Sequence, residues 1–130
     1  MRESKISKKT MRHKTNKGLR EIVLYLNNKY CPLSILMTGS RVYGNPRPDS
    51  DWDILVITEH KTDRIKKSWH GYNLDVTVIH KGYFKRNFAP DWVPPIAKSR
   101  IIKDTDKIGR KLIDFMKEEL LKSSSKLKGE

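Results

Sequence analysis

The chain has 130 residues, 36% of them apolar and 33% charged, enough to bury one core and too few for two. Its formal net charge is +13, and its single cysteine, Cys31, excludes an internal disulfide and a cysteine-built zinc site. No apolar run approaches the roughly 20 residues of a membrane span and the first residues lack a signal-peptide core, so a reducing, cytoplasmic setting without membrane attachment is expected.

Residues 1 to 20 carry eight Lys or Arg against one acid, Glu3. Residues 1–15 read as a basic, flexible tail, either merely solvated or drawn to a polyanion such as nucleic acid or a nucleoside triphosphate; no aromatic residue is interleaved to stack on bases. A domain is expected over 16–122. Asn16 to Lys29 places Leu19, Ile22, Val23 and Leu26 at helical spacing, with Asn16 as the cap. After Cys31-Pro32, where Cys31 reads as a small apolar filler, Leu33 to Met37 forms a short strand ending at Thr38-Gly39. Ser40 to Gly44 has room for one helical turn before Asn45-Pro46-Arg47-Pro48 forces an extended loop. Asp51 to Thr58 is a second strand, apolar on both faces from Ile54 to Ile57 and so covered on two sides. Glu59 to Arg64 reads as polar connection, and Lys66 to His70 and Asn73 to His80 as a hairpin around Gly71-Tyr72. Tyr83 to Phe88 is expected to be helical, Pro90 to Pro95 irregular, and Ile96 to Ile102 carries no clear period. Asp106 to Lys122 is a last amphipathic helix, capped by Thr105 or Asp106, followed by a frayed tail over 123–130.

Chemistry concentrates in the segment Gly39 to Ile57. Residues two apart on a strand share a face, so Asp51 and Asp53 project together at the mouth of an apolar run. Carboxylates there must be neutralised, paired or bound to a cation. A third acid, Asp75, sits mid-strand among apolar residues, and it joins the pair if its strand lies beside Asp51 to Ile57. Three such carboxylates repel, and a divalent ion with a preference for hard oxygen, Mg²⁺ or Mn²⁺ rather than zinc, relieves them. The plainer alternative is a turn in which Asp51 caps its own backbone and an ion pair between Asp75 and a lysine such as Lys66. Gly39-Ser40 opens the short helix, where free amides favour phosphate, Gly39 permits close approach and Ser40 caps or donates; Arg41 could add charge. Asn45-Pro46 stand where a P-loop requires Lys and Ser or Thr, so that motif is absent. Trp52 reads as core, Trp69 as cross-strand packing, and Trp92 as a pin for its loop or a pocket wall.

The Gly-Ser pair, the ten residues from Arg41 to Ser50, the Asp-x-Asp of Asp51 and Asp53, and the later Asp75 together resemble the DNA polymerase beta-like nucleotidyltransferase superfamily. The stretch GSRVYGNPRPDSDWDILVI is most similar to that of the compact minimal nucleotidyltransferases of the MntA antitoxin type. The resemblance covers roughly Leu19 to Ile102. It implies an α/β (α+β) fold, a small mixed β-sheet with helices packed against it. It also implies a transferase that moves a nucleotide, AMP from ATP, to an acceptor hydroxyl and releases pyrophosphate. By resemblance, Asp51, Asp53 and Asp75 hold two divalent ions, Asp75 helps to deprotonate the attacking hydroxyl, and Gly39 and Ser40 steady the β- and γ-phosphates. The acceptor implied is a partner protein of the HEPN type. A nucleic-acid 3′ end, suggested by the basic tail, and a non-catalytic nucleotide- or RNA-binding module are the alternatives.

Overall fold

A computed structural model describes residues 17–47, 49–60, 62–83 and 90–128, with backbone alone for 123–128. The basic tail expected over 1–15, the Asn16 cap and most of the helix expected over Tyr83 to Phe88 lie outside the described residues. The chain divides into two compact units, Met1–Cys31 and Pro32–Glu130. In the first, helix α1 spans 17–30, with Ile22 and Leu26 fully buried four residues apart on one face. Cys31 ends it in a left-handed conformation (φ 48°) and is exposed, which corrects its reading as an apolar filler.

The second unit is built on five strands: β1 (Ser34–Thr38), β2 (Trp52–Thr58), β3 (Asp63–Trp69), β4 (Tyr72–His80) and β5 (Arg100–Asp104). Their order across the sheet is β3-β4-β2-β1-β5. Only β2 and β4 run parallel; the other pairs are antiparallel, so the sheet is mixed, as expected. A central parallel pair should be apolar on both faces. Leu55, Ile57 and Ile79 point to one face, while Ile54, Val56, Leu74, Val76 and Val78 point to the other, and all are buried. The first set joins Leu36 of β1 in a core with two helices, α3 (Val93–Ala97) and α4 (Ile108–Lys128), which contribute Val93, Ile96, Ala97, Ile113 and Met116.

Several boundaries differ from the sequence reading, each for a local reason. β2 begins at Trp52, leaving Asp51 in the preceding loop, because Trp52 is the first side chain the core takes in. β3 extends back to Asp63 through residues read as connection. The hairpin turn is His70-Gly71, not Gly71-Tyr72. Both turn residues have positive φ (49° and 83°), the geometry that two-residue hairpin loops need, and Tyr72 enters the strand opposite Trp69. Pro90 to Pro95 is not irregular. A 3-10 turn (Pro90–Trp92) leads into α3, whose Pro94 and Pro95 occupy the first helical turn, where a missing N–H costs nothing.

The last helix is capped neither by Thr105 nor by Asp106, which has positive φ (54°). Asp104 caps it, accepting hydrogen bonds from the backbone N–H of Gly109 (2.7 Å) and Arg110 (3.0 Å). The helix then continues to Lys128, past the end expected at Lys122.

Candidate active site

β1 ends at Thr38 and Gly39 turns the chain into the four-residue helix α2 (Ser40–Tyr43). Gly39 stands at the cap position, so Ser40 is the first helical residue rather than the cap. The register sets Thr38 opposite Asp53 on β2, and Asp53 opposite Asp75 on β4. Two carboxylates are thereby neighbours by backbone pairing alone.

Asp51 arrives by a different route. Its loop is tied from both sides: the Arg41 guanidinium donates to the carbonyls of Ser50 (2.9 Å) and Arg47 (3.3 Å), and the Asn73 side-chain amide donates to that of Asp49 (2.9 Å). Within the loop, Arg47 N–H donates to Ser50 Oγ (2.7 Å) and Ser50 N–H to Arg47 O (3.0 Å). The result is a cluster in which Asp51, Asp53 and Asp75 each offer an oxygen within 4.8 Å of the others.

The electrostatics of that cluster are unfavourable without a cation. Burial, and then the charges of Asp75 and Asp51, push the Asp53 carboxyl above the ordinary carboxylate range, offset in part by Arg64 and Lys66. Hard oxygen donors with no His or Cys among them fit Mg²⁺ or Mn²⁺.

Asp75 is not paired with Lys66, its direct cross-strand neighbour. Arg64, one diagonal step away on β3, reaches it instead, with Nη2 at 2.8 Å and Nε at 3.0 Å from the same oxygen, Oδ1. Arg64 does not stand out in the sequence, where Glu59 to Arg64 reads as polar connection. The signal was the alternation of Ile65 and Trp69 with Arg64, Lys66 and Ser68, a strand pattern lying next to the hairpin.

The cluster opens into a cleft of about 380 Å³ lined by Gly39, Asp53, Arg64 and Asp75 at one end and by Tyr43, Asp91, Trp92 and Pro95 at the other. Thr38 joins the two ends, donating its hydroxyl to Pro95 O (3.0 Å) and lying 3.3 Å from the Tyr43 hydroxyl. Trp92 is therefore a cleft wall as well as a pin, stacked on Tyr83 with ring centres 6.1 Å apart. Ser40 and Arg41 belong to the turn beside the cleft. The guanidinium of Arg41 lies 4.0 Å over the ring of Trp52, which is buried as expected. Trp69 meets Tyr72 across the hairpin, with centres 6.2 Å apart.

Residues 17–129 match the family described as a nucleotidyltransferase domain. The chain belongs to that family. Its members transfer nucleotidyl groups, and the mixed sheet with flanking helices is the corresponding fold. A nucleotidyltransferase-like protein from Exiguobacterium sibiricum 255-15 superimposes with a TM-score of 0.53 at 13% identity, over 73% of this chain. The match spans 35% of that protein's length. A structure described as a toxin-antitoxin with AMP-PNP aligns with a TM-score of 0.49 at 14% identity, over 81% of this nucleotidyltransferase and 90% of that chain. No protein of curated function is similar enough to match it. No helix among the described residues is long and apolar enough to cross a membrane.

Proposed function

We propose that the protein transfers a nucleoside monophosphate, AMP from ATP, to a hydroxyl of a partner protein and releases pyrophosphate. The observation that carries this reading is the gathering of three carboxylates beside the Gly39 turn, two of which, Asp53 and Asp75, line the cleft. Asp51, Asp53 and Asp75 hold Mg²⁺ or Mn²⁺, two ions by resemblance. When bound, the metal draws charge from the triphosphate and acidifies the attacking hydroxyl. Gly39, without a Cβ, lets the turn close onto the Asp53 carboxylate, and the leading amides of α2 at Ser40 and Arg41 are donors with no helical partner, available to the β- and γ-phosphates.

Asp75, on the β3 side of the cluster, accepts the hydroxyl proton. The acceptor oxygen then bonds to the α-phosphorus as the bond from that phosphorus to the bridging oxygen breaks, and the electron pair leaves with pyrophosphate. Tyr43, Trp92 and Pro95 supply an apolar wall for the base at the far end of the cleft. Arg41 adds positive charge beside Asp53 while it holds the loop that carries Asp51. A HEPN-type partner follows from the same resemblance.

A nucleic-acid 3′ end is the second reading, favoured by the net charge of +13 and the basic residues 1–15. The deciding experiment follows label from [α-³²P]ATP with Mg²⁺ into protein, RNA or small alcohols in a cell extract. Label in a protein is expected, and label in RNA alone replaces the first reading by the second. Asp53→Asn should abolish the transfer, and an unchanged rate in that variant refutes the assignment of the site.

A further inference from the structure

Among the described residues, the side chain that occupies Asp75 is Arg64, and both of its short contacts fall on Oδ1. We infer that Arg64 is a built-in counter-cation of the carboxylate cluster, a positioning residue that holds Asp75 while the metal is absent and competes with a divalent ion for it. This rests on the proposed reading of the cluster as a metal site.

The geometry supports an exchange rather than a permanent pair. The Asp75 side chain is 18% exposed whereas that of Arg64 is 59% exposed, so the carboxylate is fixed in the cleft and the guanidinium can swing away into water. Arg64 approaches diagonally from the edge strand β3, and no described strand lies on its outer side to clamp it. It also lines the same cleft, so a displaced guanidinium remains near a bound triphosphate. A doubly charged ion shared by three carboxylates outbids one guanidinium held at a single oxygen. A monovalent ion brings no more charge than the arginine and does not.

A merely structural ion pair and a competing counter-cation predict opposite effects on metal affinity. Losing a structural pair would let Asp75 drift and would weaken binding. Losing a competitor should tighten it. Mn²⁺ alone is titrated into the full chain and free ion is read by electron paramagnetic resonance, with the thermal midpoint of the metal-free protein recorded in parallel. Arg64→Gln should bind Mn²⁺ about three- to tenfold more tightly than the parent, the effect of one positive charge near the ion at a solvent-facing site.

The same variant should melt lower without metal and gain more from its addition. Arg64→Lys, which keeps the charge without the two-pronged contact, should fall between the two, and it carries the test if the glutamine variant does not fold. Unchanged or weaker Mn²⁺ binding in Arg64→Gln, or in Arg64→Lys where that variant stands in, overturns the inference. Equal Mn²⁺ binding by the parent and Asp53→Asn would instead overturn the metal reading on which it rests.

Discussion

Gly39→Ala is the most economical probe of the site, because it adds one carbon at the point where the turn after β1 meets a metal-binding candidate. Gly39 has φ 80° and ψ −162°, a region open in practice to glycine alone. Forcing alanine into it costs about 1–3 kcal/mol. The new Cβ would also press on Asp53 Oδ2 and lie 3.0 Å from Asp53 Cγ and 3.2 Å from its Cβ. Neither neighbour is a loose chain end: Asp53 is held in the central ladder and Gly39 closes β1. Relief therefore requires the turn or the carboxylate to move by about an ångström, a misplacement that lowers rates on the order of 10²-fold in preorganised sites.

Initial rates of pyrophosphate release at saturating acceptor measure this, with thermal melting followed by circular dichroism on the same sample. The expected result is a loss of at least about 10²-fold in kcat/KM together with a midpoint lowered by several degrees. Gly82→Ala serves as the control, since its Cβ would meet only the His80 ring at 3.4 Å and beyond, an ordinary contact. If Gly39→Ala keeps its rate within about threefold of the parent, the approach of the turn to Asp53 is not what the reaction requires.

Asp104→Ala should destabilise the second unit by about 2–3 kcal/mol, since it removes a helix cap and strands a buried hydroxyl. Ser34, fully buried, donates its hydroxyl to Asp104 Oδ1 at 2.6 Å, and urea denaturation with an unchanged slope would measure the loss. Burial opposes ionisation of Asp104, but the hydrogen bonds from Ser34, Gly109 and Arg110 outweigh it and hold the carboxyl below its ordinary range. A depressed carboxyl contributes stability above its unfolded pKa and loses it as pH falls through the folded one, so Asp104→Ala should flatten the acid limb of a stability curve below about pH 4. Asp53 carries the opposite sign. Its carboxyl is raised, so the folded protein holds that proton longer than the unfolded chain, and metal-free stability should decline as pH rises through the window between the two values. Asp53→Asn should remove the decline, and Mg²⁺ should offset it in the parent; a curve identical in parent and variant without metal would show that Asp53 is not strained.

Residues that answer to a short period or to a fixed spacing were legible in the sequence. The run Ile54 to Ile57 reads as a strand buried on both faces, and the alternation Leu74, Val76, Val78 sets Asp75 on the face opposite to them. Once β4 is placed beside β2, Asp53 and Asp75 must meet. What could not be read are features decided by partners far along the chain. Asp104 caps α4 although Thr105 and Asp106 are nearer in sequence, because β5 pairs Asp104 with Ser34 and fixes its carboxylate at the helix start. Pro94-Pro95 looks like a loop until Val93, Ile96 and Ala97 are seen to seal one end of the core. Arg64 sits in a segment whose own composition, Asp-Arg-Ile-Lys-Lys-Ser-Trp, is that of an edge strand defended by charge, and only its pairing with β4 gives it Asp75 as a neighbour.

The three carboxylates are held in place by unlike means, and that difference bears on how the site would work. Asp53 and Asp75 are positions on a buried parallel ladder, which cannot shift without breaking the centre of the sheet. Asp51 hangs on a loop whose position depends on Arg41 stacking over Trp52 while donating to Ser50 and Arg47, and on Asn73 holding Asp49. The turn at Gly39-Ser40 and the loop that carries Asp51 are thus joined through one side chain, because Arg41 follows Ser40 directly. A displacement of α2 by an arriving triphosphate would be passed to Asp51 through that guanidinium, while Asp53 and Asp75 stayed fixed. Asp51 and the Gly39-Ser40 turn would then move as one piece against a rigid pair, an arrangement in which nucleotide and metal would assemble the site together.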